Sequence, residues 1–593
     1  MSRAFGEMPG PERERWSGYV RQSFYVAVRD GTKLAMDLFR PSGTDGAMAQ
    51  NTPVILTMTP YNRANLVDGH LTHALSDYVA EDGTAFTNDL RELVRHGYAY
   101  AVVDVRGQGA SFGQYVGCMS AEEGRDGHDL VQWLAEQDWC SGAVGMDGSS
   151  YGAATQFLTA AERPPALKAM FAAHIYFDGF DVFFPGGVRV LSLPAEWGSM
   201  VDQLAGRTAP STVAPVDADE DGAHLAAAIA EHKAGRHAEE IFREIYASPY
   251  RDGNPFFTER RETGSQNLLT TLPRLQEQAP PAYFWGGFND YFPDQMLKWH
   301  ANWTAAPAKL ALGPWTHSPR TFTSPRDEED LRLRAAESLR WFDRFLMGEE
   351  TGVTNDASIH YAVQDGHRYR EGGFETDEDR WTWQETEAWP PSRTPALNFQ
   401  LCEDKLSHNC DTQWARTLNV DPTTSTGPRN RMNASFKFQS LLYPDMAEVD
   451  RKSLAWTSDP LVKEVVIAAT PRLTFEAEVA DPNTLFVVWM HMVDKSGRSS
   501  LLSYASLKAA YNEQTEAPYS TVGMIYRPSE KDGVMSQSQR PGRALYTIDL
   551  LPVANRFEPG TRIRVTLSGA DAAFVETPPP HSRYTVFSGN LHL

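Results

Sequence analysis

Cysteine is scarce in this sequence, and its scarcity excludes two classes of protein. Four cysteines occur in 593 residues, too few for a scaffold held by disulfides, and none has the C-x-x-C spacing that is typical of zinc sites. We therefore expect reduced thiols and no metal site. Cys402 and Cys410 lie close enough in sequence to pair in an oxidising compartment, and the sequence leaves that pairing open.

Long apolar runs and positive charge are lacking as well. No stretch is long and apolar enough to span a bilayer, and the N-terminal MSRAFGEMPGPERERW has no apolar segment typical of an export signal. The formal net charge of -22 repels phosphate backbones and anionic lipids. The sequence therefore predicts a soluble cytoplasmic protein that binds neither nucleic acid nor membrane.

What is present is the composition of a folded protein with several domains. Apolar residues make up 41% of the chain and charged residues 22%, which is ordinary for globular proteins. Single hydrophobic cores stop growing near roughly 250 to 300 residues. A chain of 593 residues is therefore expected to form two or three domains.

Strand-like and helix-like segments alternate in the first part of the chain. Asp30 and Gly31 mark the turn of a β-hairpin. Apolar runs then predict strands at 53–58, 99–105, 167–173, 281–287 and 308–314, with helices between them. This alternation is typical of a mostly parallel sheet covered by helices, an α/β fold.

Two changes of pattern divide the chain. Residues 177–280 predict helices without strands, as in an inserted cap. After Gly352 short alternating runs separated by Pro, Gly, Asp and Asn predict a β-sandwich of the jelly-roll type. We therefore divide the chain into an α/β core in two parts, 1–176 and 281–350, a helical cap, 177–280, and a C-terminal jelly roll, 351–593.

A candidate nucleophile lies in the segment GSSYG, which matches G-x-S-x-G between a strand-like and a helix-like run. Glycines permit the sharp turn that exposes the serine, and the dipole of the following helix favours a developing negative charge. The register of the motif selects Ser150 over Ser149.

A serine hydroxyl needs a base, and in this kind of fold the chain order is Ser, Asp, His. His317 follows the predicted strand 308–314, and Asp290 follows the predicted strand 281–287. We therefore predict His317 as the general base and Asp290 as the acid that orients it. Asp294 is the competing acid, with helix capping as its alternative role.

The other histidines fit the motif less well. His300 lies on an amphipathic helical segment, and His128 and His174 precede the acid in the chain. His174 directly follows the predicted strand 167–173, and Trp315 lies in the loop before the base. We place both in the substrate pocket, because loops at the carboxyl ends of parallel strands face the site.

An oxyanion hole requires two donors. One is normally the backbone N–H after the nucleophile, here that of Tyr151. The other comes from the loop after an early strand, TPYNR, which contains no glycine run. We predict the hydroxyl of Tyr61 as the second donor, with a packing role as the alternative.

The sequence closely resembles the cocaine esterase and X-prolyl dipeptidyl-peptidase family of α/β-hydrolases. The resemblance is carried by TPYNR, VVDVRGQGASFG, EEGRDGHDLVQWLAEQDWCSGAVGMDGSSYG, LGPWTH, LRWFDRFLMGEETGV and FEPGTRIRVTLSG, and it extends over nearly the whole chain. It implies an α/β-hydrolase core, a helical cap and a jelly roll. It implies the same roles for Ser150, Asp290, His317, Tyr61 and Tyr151.

Two substrate inferences come from the resemblance. Phe292 matches a position at which an aromatic ring packs against the acyl group of the substrate. Related α-amino acid ester hydrolases carry extra carboxylates just after the catalytic acid, whereas here only Asp294 is acidic. This departure disfavours amino esters and dipeptides as substrates.

The predicted function is hydrolysis of a small-molecule carboxylic ester or amide through an acyl-enzyme, without a cofactor. One alternative is an acyltransferase that passes the same acyl group to an alcohol or amine in a biosynthetic pathway. A dipeptidyl-peptidase, or a binding protein whose jelly roll holds a saccharide or protein, is a weaker alternative. A homodimer is the default expectation for an enzyme of this size.

Overall fold

The computed structural model describes residues 2–10, 16–73, 88–259, 262, 264–317, 327–365, 369–370, 373–374, 381–392, 396–410, 412–427, 445–539 and 542–593. Two large sheets dominate these ranges, one of twelve strands and one of ten. In the described part of the chain, no helix is both long enough and apolar enough to cross a bilayer. Cys402 and Cys410 are free thiols rather than a disulfide.

The N-terminal half builds most of the larger sheet. Its strands and the small hairpin β4–β5 are β1 Gly18–Ala27, β2 Lys33–Ser42, β3 Thr52–Thr59, β4 Ala64–Val67, β5 His70–His73, β6 Ala99–Asp104, β7 Cys140–Ser149, β8 Leu167–Ala173, β9 Ala282–Gly287, β10 Ala308–Gly313 and β11 Ile359–Asp365. The sheet order begins β1-β2-β6-β3-β7-β8-β9-β10-β11. All neighbours from β6 onward are parallel, and the β1–β2 hairpin is antiparallel. The predicted strands are confirmed to within one residue at most ends.

Helices cover this sheet and fill the segment between β8 and β9. They are α1 Asn88–Arg95, α2 Ala121–Ala135, α3 Tyr151–Ala161, α4 Gly179–Phe183, α5 Ser192–Leu204, α6 Ala223–Ala234, α7 Ala238–Ile245, α8 Pro255–Thr258, α9 Leu272–Glu277, α10 Pro293–Asn302 and α11 Asp327–Leu346. Every residue of α3 is buried, so this helix is packed on all sides by the sheet and the surrounding segments. Its N-terminus is therefore a rigid support for the residue that precedes it.

The C-terminal region is mainly β-structure. Its strands are β12 Tyr369–Arg370, β13 Gly373–Phe374, β14 Trp381–Thr386, β15 Asn398–Leu401, β16 Lys405–Ser407, β17 Arg416–Asn419, β18 Leu454–Ser458, β19 Val465–Ala469, β20 Arg472–Val479, β21 Leu485–Val493, β22 Ser499–Lys508, β23 Gly542–Asp549, β24 Val553–Phe557, β25 Arg562–Ser568 and β26 Arg583–His592, with helices α12 Ala447–Arg451 and α13 Lys531–Ser538. The ten-stranded sheet has the order β22-β21-β25-β18-β16-β15-β26-β20-β23, and β17 pairs with β26. Apolar side chains alternate along β20, as expected for a sheet with one buried face.

Hydrogen bonding crosses the predicted boundary at residue 350. Strand β11 lies beyond that boundary, yet it pairs in parallel with β10 of the core. The same sheet continues through β24 and β19, and β14 pairs with β11. The core and the C-terminal region therefore share one continuous sheet. The domain boundary at residue 350 remains a prediction, and the hydrogen bonding of the sheet does not stop there.

Candidate active site

Ser150 lies at the sharp turn between β7 and α3. Its backbone has φ +56° and ψ -118°, a strained conformation of the kind that is concentrated at functional sites. A Cβ on Gly148 would come within 2.7 Å of the Gly152 carbonyl carbon, which explains why the turn needs glycine there. The Ser150 amide donates to the Ala173 carbonyl of β8 at 2.9 Å, which anchors the turn to the sheet.

Three side chains form a continuous chain of hydrogen bonds. His317 Nε2 lies 3.0 Å from Ser150 Oγ, and His317 Nδ1 lies 3.0 Å from Asp290 Oδ1. A carboxylate on Nδ1 selects the tautomer whose Nε2 accepts the serine proton. The residues come from the ends of β7, β9 and β10, which lie at one edge of the parallel sheet.

Asp290 is fully buried, and its surroundings keep it ionised. Burial alone would raise the pKa of its carboxyl group. The charge of His317 and hydrogen bonds from His174 and His317 outweigh burial, so the net shift of the pKa is downward. The Tyr291 amide also donates to Asp290 Oδ1 at 2.6 Å. An ionised acid at this position favours the imidazolium that forms when His317 takes a proton.

His174 contacts the acid directly. Its Nδ1 lies 2.9 Å from Asp290 Oδ2, the oxygen that His317 does not use, and the side chain is fully buried. His174, which the sequence places in the substrate pocket, therefore contacts Asp290 through the oxygen that does not face His317. The ligand atoms of His174, Asp290 and His317 lie within 4.8 Å of one another, a spacing that a cation could bridge, but here they are joined by hydrogen bonds.

The structure brings the two predicted oxyanion donors together. The Tyr61 hydroxyl lies beside the Ser150 side chain and the Tyr151 backbone, and both interactions lower its pKa. It also accepts a hydrogen bond from Trp197 Nε1 at 3.0 Å. These interactions lower the pKa of Tyr61, but burial outweighs them and raises it overall. The phenol therefore stays protonated and able to donate a hydrogen bond.

The Tyr151 side chain is hydrogen-bonded to the buried carboxyl group of Glu123. Its hydroxyl donates to Glu123 Oε1 at 2.9 Å. Glu123 also accepts from the Ser120 amide at 3.1 Å and forms the capping box that begins α2. Burial raises the pKa of Glu123 to about 8, despite hydrogen bonds from Ser120 and Tyr151 that lower it. This support keeps the Tyr151 side chain in one place beside Ser150.

The remaining predicted pocket residues have different surroundings. The Phe292 ring lies 5.3 Å from the His317 ring in an edge-to-face arrangement and is beside the site. Trp315 is fully buried and stacks on Trp285 at 4.5 Å, with Trp383 also in contact. Trp315, predicted for the substrate pocket, is therefore part of a buried cluster of aromatic rings beside the sheet.

A cavity of about 150 Å³ lies between the core and the C-terminal region, next to the acid. Its lining includes Tyr291, Asp294, Lys298, Tyr504 and Arg527. Lys298 Nζ donates to Asp181 Oδ2 at 2.9 Å and to Asp294 Oδ2 at 3.3 Å. The carboxylate of Asp294, the competing acid in the sequence, is therefore paired with a lysine and not with His317.

Sequence reasoning missed Trp197 and Glu123. Trp197 lies on α5, far in sequence from the TPYNR loop that it contacts, so no local pattern marks it. Glu123 had a usable signal, because Ser120 and Glu123 have the S-x-x-E spacing of a capping box. The signal locates a helix start, but only the fold shows that this helix faces Tyr151.

Models of two protein domains match the chain. Residues 30–319 match X-Pro dipeptidyl-peptidase (S15 family), and residues 351–592 match the X-Pro dipeptidyl-peptidase C-terminal non-catalytic domain. The fold and the site together define a hydrolase with an α/β core and a β-rich C-terminal domain. The chain belongs to the X-Pro dipeptidyl-peptidase (S15) family, which confirms the predicted family and fold class.

Individual relatives are similar over nearly their whole length. A protein of Mycobacterium tuberculosis (strain CDC 1551 / Oshkosh) named as a serine esterase is 29% identical, over 98% of this chain and 95% of that protein. Cocaine esterase of Rhodococcus sp. (strain MB1 Bresler) is 26% identical, over 93% and 91%. A crystal structure of a CocE/NonD family hydrolase from Staphylococcus aureus has the same fold, with a TM-score of 0.70 at 15% identity over 98% and 97%. An α-amino acid ester hydrolase structure gives a TM-score of 0.67 at 18% identity over 98% and 97%.

Proposed function

We propose that this protein hydrolyses carboxylic esters, and more slowly amides, through an acyl-enzyme on Ser150. The observation that carries the proposal is the hydrogen-bond chain from Asp290 through His317 to Ser150, with both links at 3.0 Å. This is the geometry that lets a histidine take the serine proton while a carboxylate stabilises the resulting imidazolium. The names of two relatives, both called esterases, agree with this reaction class.

The reaction has two balanced halves. Ser150 Oγ bonds to the substrate carbonyl carbon as His317 takes its proton, and the carbonyl oxygen becomes an oxyanion held by the Tyr151 amide and the Tyr61 hydroxyl. The C–O bond to the leaving group then breaks, and His317 returns the proton to the departing alcohol. Water repeats the sequence on the acyl-enzyme, which releases the carboxylic acid and restores Ser150.

We propose that the acyl group is uncharged. The acidic side chain that follows Asp290 most closely is Asp294, and its carboxylate is already paired with Lys298. A substrate ammonium would have to displace that buried lysine, whereas the Phe292 ring beside His317 offers an apolar surface. Aryl esters of uncharged acids should therefore be cleaved faster than amino acid esters or X-Pro peptides.

The test is labelling by a fluorophosphonate, read as intact mass, together with turnover of short-chain aryl esters. The native protein should gain one adduct and cleave the esters, and Ser150→Ala should do neither. Ser149→Ala is the matched control, because Ser149 is the adjacent serine of the same turn and should still label and turn over. Turnover by Ser150→Ala at the native rate would overturn the proposal.

The division into core, cap and jelly roll, a homodimer and a cytoplasmic location belong to the same proposal. The ten-stranded sheet supports the jelly-roll description. Light scattering on the purified chain should give twice its mass of 66.1 kDa, and cell fractionation should recover the esterase activity in the cytoplasm. A monomer, or activity in another fraction, would remove that part of the proposal and leave the chemistry unchanged.

A further inference from the structure

We infer that His174 is a positioning residue for the triad: as a neutral hydrogen-bond donor, it holds the second oxygen of Asp290. The inference rests on the proposed function, since it gives His174 a role in the reaction of Ser150. The contact is between His174 Nδ1 and Asp290 Oδ2, at 2.9 Å, while His317 Nδ1 uses Oδ1 at 3.0 Å. One carboxylate is thus shared by two histidines that differ in exposure.

Burial makes His174 a donor with a single tautomer. The side chain has no exposed surface, and His174 Nε2 has no hydrogen-bond partner among the described residues. An imidazolium would bury a second N–H without an acceptor, which is costly. Desolvation accordingly lowers the pKa of His174 even though Asp290 raises it. The proton therefore stays on Nδ1 and points at Asp290.

The hydrogen bond from His174 changes how strongly the Asp290 carboxylate acts on His317. A hydrogen bond to Oδ2 holds carboxylate charge on that oxygen and stops Asp290 from rotating away from His317. Among the described residues, the charged or titratable groups acting on His174 are Asp290 and His317. Without the donor, Asp290 would attract the His317 proton more strongly. The imidazolium, which cannot act as a base, would then persist to higher pH.

The backbone fixes where this donor lies. His174 follows the last residue of β8, and its amide donates to the Trp285 carbonyl of β9 at 2.8 Å. Its φ is +51°, a region that asparagine tolerates better than most residues do. The end of β8 and the left-handed backbone of His174 thus place its ring beside Asp290, which follows the neighbouring strand β9.

Two carboxamides provide a matched pair of variants. In His174→Asn the side-chain nitrogen occupies the position of Nδ1 and can still donate to Asp290. In His174→Gln the nitrogen is one carbon further out, at the position of Nε2, and that donor is lost. We expect His174→Gln to lose about 10- to 100-fold in kcat/KM, the cost of one hydrogen bond to a charged group.

The pH profile separates positioning from a purely structural role. In His174→Gln the midpoint of the acidic limb of kcat/KM should move to higher pH, whereas His174→Asn should keep the native midpoint. Melting temperatures of both variants report any loss of folding. If both variants lose stability and activity but keep the native midpoint, the positioning role is wrong and the triad stands.

A measurement on the native protein does not depend on turnover. Nitrogen NMR of labelled histidines should show His174 as the neutral Nδ1–H tautomer at neutral pH, with a coupling across its bond to Asp290. A protonated His174, or the Nε2–H tautomer, would overturn the inference even in an active enzyme. If the spectrum is as expected, but the protein neither reacts with the fluorophosphonate nor cleaves esters, the proposed function is wrong and the hydrogen bond from His174 to Asp290 stands.

Discussion

The indole N–H of Trp197 donates a hydrogen bond to the Tyr61 hydroxyl oxygen at 3.0 Å. An indole can only donate, so this bond occupies a lone pair of the phenol and leaves its proton free to point elsewhere. The Tyr61 hydroxyl also interacts with the Tyr151 backbone and the Ser150 side chain. Since Trp197 cannot accept a proton, we expect the Tyr61 proton to point toward Ser150, where the oxyanion of the proposed reaction would form. Trp197 on α5 thus contacts the proposed oxyanion donor from a segment far away in the sequence.

Trp197→Phe should lower kcat about 5-fold with little change in KM, since one neutral hydrogen bond is worth about 1 kcal/mol and acts here on the transition state. Tyr61→Phe should cost about 10²- to 10³-fold, as removal of an oxyanion donor does. Steady-state kinetics on one aryl ester gives both values. Because Trp197 acts through Tyr61, the double variant should match Tyr61→Phe; fully additive losses would mean that Trp197 contacts substrate independently.

Local patterns predicted the members of the proposed triad because each one lies where a strand ends. Ser150, Asp290 and His317 follow β7, β9 and β10, and the chain order alone brings such positions to one edge of a parallel sheet. The position of a side chain around that edge is not local. The sequence could not show that Trp315 packs in the core, or that His174 reaches Asp290 from the neighbouring strand. These outcomes depend on backbone twist and on packing between distant segments.

The shared sheet illustrates the same limit. Alternating runs predicted the C-terminal strands, but not their partners, since pairing is set by long-range register. Strand β11 joins the core through β10, and β24 joins it from almost two hundred residues further along the chain. A change of composition near residue 350 is therefore visible in sequence, although hydrogen bonding continues across it.

Glu123 should make the protein less stable as pH rises. Burial raises its pKa from 4.5 to about 8, so over this range the unfolded chain has already lost a proton that the folded protein keeps. The contribution of Glu123 is fully present below the unfolded pKa and is lost as pH rises toward 8. The slope is at most about 1.4 kcal/mol of unfolding free energy per pH unit.

Urea unfolding from about pH 5 to 8 measures this slope. Glu123→Gln keeps the acceptor for Tyr151 and cannot ionise, so its unfolding free energy should fall less steeply than that of the native protein. Glu122→Gln is a matched control on the same turn of α2, and it should keep the native slope. Equal slopes for native protein and Glu123→Gln would show that Glu123 is ionised in the fold.

His491 should have the opposite effect, in the acid range. It is fully buried on β21, with Ser499 Oγ and Thr566 Oγ1 each 3.2 Å from one of its ring nitrogens. Burial lowers its pKa from 6.5 to about 4, against the attraction of Asp450. The unfolded chain therefore gains a proton before the folded protein does. The stability that His491 contributes is present above pH 6.5 and is lost as pH falls toward 4.

His491→Gln should reduce the loss of unfolding free energy between these two pH values. His300 and His360 also have their pKa lowered by burial to about 4, so the native protein should keep part of the acid slope in the variant. His408, which is exposed, supplies the control: His408→Gln should leave the slope unchanged. An unaltered slope in His491→Gln would mean that His491 is already protonated in the fold.

Lys298 is the cation of a buried network beside the acid. It is 6% exposed, and burial would lower its pKa, but Asp181 and Asp294 raise it overall. Lys298→Met leaves both carboxylates without this partner, and breaking a buried ion pair in this way costs about 3 to 5 kcal/mol. Asp181 keeps a contact with Arg251 at 3.4 Å, so the lower end of that range is expected in urea unfolding.

A second substitution separates the charge from the packing of the lysine stem. Lys298→Met combined with Asp294→Asn removes a cation and an anion together, so it should recover part of the stability lost by Lys298→Met alone. Methionine conserves most of the volume of the stem, which makes recovery a measure of charge. If the double variant is as unstable as the sum of the two single ones, Lys298 and Asp294 are not coupled. In that case Asp294 would be free to receive a substrate ammonium, and amino acid esters would have to be tested as substrates of the native protein.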